Sequence, residues 1–129
     1  MKAHKLLWID CCGGLLVGIL TIAASQFLAQ WENLSIKLIL FMGIANLVYG
    51  GYSLSLALGR NRSRPAINLL ALANMAWLPV CITMVILNFS EIYALGLLHL
   101  LGEGLFVGAL GLLEWKVRDQ LVSDQSRNL

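Results

Sequence analysis

Residues 92–115 read IYALGLLHLLGEGLFVGALGLLEW, and this stretch decides the fold: it is long enough to cross a bilayer, yet it holds a carboxylic acid, Glu103, near its middle. A spanning helix needs about 20 predominantly apolar residues. A carboxylate at the centre of such a helix costs about 2.5–3.5 kcal/mol on insertion scales, so the group is expected to face a bundle interior, a partner or a water path. Glu103 is therefore the first candidate for a site.

Three more apolar stretches lie upstream, at residues 6–29, 34–59 and 66–88. With 59% hydrophobic and 12% charged residues, the 129-residue chain falls outside the range of ordinary soluble domains. The connections, 30–33, 60–65 and 89–91, leave no room for a soluble domain. The expectation is an all-α membrane protein, residues 1–129 forming a single four-transmembrane-helix antiparallel bundle with a tail at 116–129. A cleaved signal peptide is the competing reading of the first stretch, since Lys2 and Lys5 precede its apolar core. Asp10 interrupts that core, and cleavage would strand the charge pattern described next.

Lysine and arginine are retained on the cytoplasmic side of short loops. Lys2 and Lys5, then Arg60, Arg62 and Arg64, then Lys116, Arg118 and Arg127 fall on one side, against Lys37 with Glu32 and Glu91 on the other. Four spans and this bias both put the N- and C-termini in the cytoplasm, in a bacterial-type inner membrane. The bias also opposes a dual-topology assembly. Trp8 and Trp115 on the inner side and Trp31 and Tyr93 on the outer have the positions of interface anchors. Glu114, beside Lys116 and Arg118, is read as a surface charge of the inner interface.

Helical phase sorts the polar residues within the spans. His99 and Glu103 are four apart and share a face, while Gly104, Gly108 and Gly111 lie on roughly the opposite one. Asp10, Gly14, Gly18, Thr21 and Ser25 form a stripe on the first helix, and Gly43, Asn46, Gly50 and Ser53, flanked by Tyr49, form one on the second. On the third, Asn74, Trp77 and Cys81 share a broad face, with Pro79 as an expected kink. The pairs Gly14/Gly18 and Gly104/Gly108 fit the small-xxx-small pattern of close helix contact, within the chain or in a homo-oligomer.

Depth then groups the candidates. At about 1.5 Å rise per residue, Asn46 and Glu103 both lie about 18 Å from the outer ends of their spans, and Asn74 and Trp77 about 12 and 17 Å from the inner end of theirs. Glu103, His99, Asn46, Asn74, Trp77 and Tyr49 are thus expected to form one mid-membrane ligand-binding site. Asp10, about 6 Å from the inner boundary, is a possible second polar site. Gly43-x-x-Asn46 and Gly96-x-x-His99 echo each other, as do Trp8-x-Asp10 and Leu72-x-Asn74, the pattern of two related helix pairs with a site at their interface.

His99 and Glu103 have a workable metal spacing, but a third and fourth ligand are missing, so no metal is expected. Cys11, Cys12 and Cys81 lack metal or redox spacing and read as small apolar fillers. There is no phosphate loop, serine elbow or zinc signature, and nothing suited to nucleic acid. In size and number of spans the chain resembles the small multidrug-resistance exporters; their membrane glutamate belongs to the first helix, whereas Glu103 is in the fourth, so their antiport mechanism is not implied. The expected function is transport or binding of a small ligand, proton or ion, of unknown cofactor. The alternatives are an accessory subunit packed against a larger membrane complex and, less in keeping with the residues, an enzyme acting on lipid or quinone with Glu103 and His99 as acid and base.

Overall fold

In the computed structural model, which describes residues 3–59 and 62–122, every regular element is helical. They are α1 (His4–Ala23), α2 (Ser25–Glu32), α3 (Ile36–Leu58), α4 (Arg64–Asn88), α5 (Ala94–Lys116) and the short α6 (Arg118–Leu121). Lys2, Arg60, Arg127 and tail residues 123–129 lie outside the described residues. α1, α3, α4 and α5 are each long and apolar enough to cross a membrane. Their outward faces fit lipid: Leu16, Val48, Ile86, Leu87 and Leu98 are all well over a third exposed. This is a four-helix bundle of a multi-pass membrane protein.

Helix starts follow local chemistry. Ser35 caps α3 by accepting from the Leu38 N–H, and Ser63 caps α4 by accepting from Ala66, with Pro65 in the first turn where its missing donor costs nothing. α4 continues through Pro79 to Asn88.

The first span is where the architecture departs from expectation. Residues 6–29 do not form one straight helix: the chain bends at Ala24 (φ −100°, ψ 17°), and α2 carries what was expected to be loop, out to Glu32. Neither Gly nor Pro is present to force the bend. Tertiary contacts favour it instead, since α2 packs on α3 and α5, and the Tyr93 N–H donates to the Glu32 carbonyl. Asn33 then reverses the chain in the left-handed region (φ 53°), a conformation asparagine tolerates, and its side chain donates to the Glu91 carbonyl at 2.6 Å.

The helices associate in two close pairs, α1 with α3 and α4 with α5. Glycine makes both seams. An added methyl at Gly14 would stand 3.0 Å from Gly50 Cα, and one at Gly18 2.9 Å from the Gly43 carbonyl. At Gly111 it would meet Met75 N at 2.6 Å and the Ala71 carbonyl at 2.7 Å, and at Gly104 it would meet Cys81 Cβ at 2.9 Å. The glycine faces that the sequence offers to a second copy are thus filled from within the chain. Between the pairs, side chains take over. Leu34, Ile39, Met42, Trp77, Cys81, Met84, Val85 and Leu100 form one core cluster, and Ala3, Leu7, Ala57, Ile67, Leu70 and Leu121 form another.

Candidate functional site

The four polar candidates Asn46, Trp77, His99 and Glu103 meet around the Glu103 carboxyl group. Asn46, on the buried stripe of α3, donates from Nδ2 to Glu103 Oε1 at 2.6 Å; Trp77, on the α4 face turned to the core, donates its indole N–H to the same oxygen at 3.1 Å. His99, one turn before Glu103 on α5, places Nε2 3.0 Å from Oε2. Asn46 also donates to the Met42 carbonyl. Tyr49 packs edge-on against Trp77, with ring centroids 5.6 Å apart, so it positions the indole and does not bond to the carboxylate.

Sequence reasoning missed the next partner. Glu32, 1% exposed, is brought by α2 to the far side of the imidazole, where His99 Nδ1 lies 2.9 Å from both of its carboxylate oxygens. The result is a line, Glu32–His99–Glu103, with one imidazole nitrogen for each acid. A neutral imidazole has one N–H and an imidazolium two. Two hydrogen bonds to two carboxyl groups require two protons among the three side chains, one more than a neutral imidazole flanked by carboxylates supplies. That extra proton sits on the ring or on an acid, and it can be passed along the line by tautomer exchange.

Asn74 is not part of this group, contrary to the depth estimate. Its Nδ2 donates to Asp10 Oδ2 at 2.6 Å and to Glu114 Oε1 at 2.7 Å, forming a separate cluster of α1, α4 and α5 residues. Glu114 is fully buried and is not the interface charge its basic neighbours suggested. Asp10 is buried as well, 5% exposed. Arg62 of the loop between α3 and α4 donates from Nε to the Leu121 carbonyl, Arg64 pairs with Asp119, and Arg118 stacks over Trp115 at 4.3 Å.

A cavity of about 40 Å³ separates the two clusters. Glu103, Asn46 and Tyr49 line it on one side and Asp10 and Asn74 on the other, with Gly13, Val17, Phe106, Val107 and Leu110 as its apolar walls. Among the described residues, no three His, Cys, Asp or Glu side chains are arranged to hold a metal ion. The chain matches no family model, no curated protein and no solved structure.

Proposed function

We propose that this is a small proton-translocating protein of a bacterial-type inner membrane, an antiparallel four-helix bundle with both termini cytoplasmic, in which Glu32, His99 and Glu103 relay protons from the outer side towards the interior cavity. The observation that supports it most directly is His99 bridging two buried carboxyl groups through its two ring nitrogens, at 2.9 and 3.0 Å. Buried ionisable chains of this kind are costly in a bilayer and typify proton paths. The size of the interior supports a proton over a larger ligand. Drug-sized ligands occupy pockets of about 300–1,000 Å³, whereas about 40 Å³ holds only a few waters. The orientation rests on the one-sided lysines and arginines, with Glu32, Asn33 and Glu91 at the opposite end.

The test is proton flux into liposomes containing the purified protein, driven by an imposed potential and read with an entrapped pH dye. Wild type is expected to exceed empty liposomes clearly. Glu103→Gln can retain all three hydrogen bonds, accepting from Asn46 and Trp77 through its carbonyl and donating to His99 through its amide, so it should fold and yet abolish flux. His99→Gln should do the same. Flux in Glu103→Gln equal to wild type would remove the relay from consideration.

A further inference from the structure

We infer that Asp10, Asn74 and Glu114 form a second proton-binding site, which holds one proton on its carboxyl pair and exchanges it with Glu103 through water in the intervening cavity. The role in a path rests on the relay reading above, but occupancy of the site does not. Two carboxyl groups are drawn to one amide nitrogen, and Glu114 is fully buried with Asp10 nearly so. Among the described residues no lysine, arginine or histidine pairs with either acid, so two full negative charges would stand side by side in low dielectric, which carboxyl pairs avoid by sharing a proton. The other titratable side chains at this space are Glu103 from α5 and Tyr49 from α3, across the cavity, with Cys11 beside Asp10 on α1. None supplies a positive charge.

A second observation is independent of the acid pair. Glu114 Oε2 and Asn74 Oδ1 are both buried and have no hydrogen-bond partner, so the cluster is short of a proton donor. One proton on the pair and one water at Asn74, which lines the cavity, supply what is missing. A metal cation fits less well, because the Asn74 Nδ2 donors occupy the position between the carboxylates that a cation would take. Balance is simple: once the pair has given up its proton, one leaves the Glu103 carboxyl for cavity water and water delivers one to Asp10, the member of the pair that lines the cavity, with no other bond broken.

The experiment is infrared difference spectroscopy of the full chain in lipid at neutral pH, reading the C=O stretch of protonated carboxyl groups and its shift in deuterated water. A protonated-carboxyl band that survives in Glu103→Gln and Glu32→Gln but disappears in Glu114→Gln or Asp10→Asn is the expected result. Should both of those last variants unfold, carboxyl isotope labelling of aspartate and glutamate in the Glu103→Gln background assigns the band instead. Absence of any protonated-carboxyl band from the Glu103→Gln/Glu32→Gln double variant, or a band there that survives further Glu114→Gln or Asp10→Asn substitution, overturns the inference. The two proposals fail separately: a band at Asp10 and Glu114 without proton flux keeps this site and removes the relay, and flux without the band does the reverse.

Discussion

The seams within the two helix pairs and the space between the pairs are built on opposite principles. Along α1–α3 and α4–α5 the backbones themselves touch, and glycine leaves no volume to adjust. Between the pairs stand long or polar side chains, a cavity and most of the buried charge. Packing of the first kind leaves little room for adjustment and packing of the second leaves more, and the polar groups lie at the joint between the pairs. Sites at the interface of two structural halves are a recurring transporter arrangement.

The sharpest way to break this comparison is to overfill a seam. Gly111→Ala forces a methyl against the Met75 and Ala71 backbone and is expected to cost about 3 kcal/mol, the upper end for overpacking. Unfolding in mixed micelles measures it, and a mild effect would mean the seams yield as readily as the joint. Filling the joint should do something different. Gly13 lines the cavity and an added methyl meets only Phe106, at 3.9 Å, so Gly13→Ala is expected to lower proton flux while stability gains up to about 1 kcal/mol from helix propensity. A loss of stability with flux intact would reverse that assignment. Trp77→Phe removes one of three partners of Glu103, leaving Asn46 and His99, and should cost more than the mean of about 0.6 kcal/mol for an interhelical hydrogen bond, because the buried indole also leaves a void; unfolding in mixed micelles measures it. Gly102→Ala, which meets nothing within 4 Å, should change stability only by helix propensity, a gain of up to about 1 kcal/mol, and serves as the reference for the seam glycines.

How much of this was legible in the sequence differs between the two polar clusters. α3, α4 and α5 begin and end within about two residues of the apolar stretches 34–59, 66–88 and 92–115, whereas the first stretch is broken at Ala24; Asn46, Trp77, His99 and Glu103 lie within those unbroken helices, so rise per residue alone groups them by depth. Asn74 falls with them by estimated depth because it is only three residues from Trp77, but three residues, about 4.5 Å, is also the difference between two layers. Helical phase carries the signal for Glu114. Glu103, Val107, Leu110 and Glu114 are spaced i, i+4, i+7, i+11, a single helical stripe, and its three upper members line the cavity. Basic neighbours along the chain drew attention from that phase. Glu32 was harder, since counting residues in a straight first helix leaves it in a loop, and the bend at Ala24 is held by contacts from α3 and α5, which no local pattern encodes. Within α2, the buried Ser25 and Glu32, seven apart, were the only local hint.

The distribution of partners has a consequence for how the chain assembles in the membrane. Asp10 and Glu32 belong to the first half of the sequence, and every side-chain partner described for their carboxylates, Asn74 and His99, belongs to the second. The Asn46 amide likewise reaches Glu103 only across the joint. While α1 to α3 are inserted and α4 and α5 are not, two acids lack their side-chain partners in or near hydrocarbon, and the Asn46 amide keeps only its bond to the Met42 carbonyl. α4 brings Asn74 to Asp10, and α5 completes both clusters with Glu114, His99 and Glu103, so each cluster favours the docking of the second half against the first.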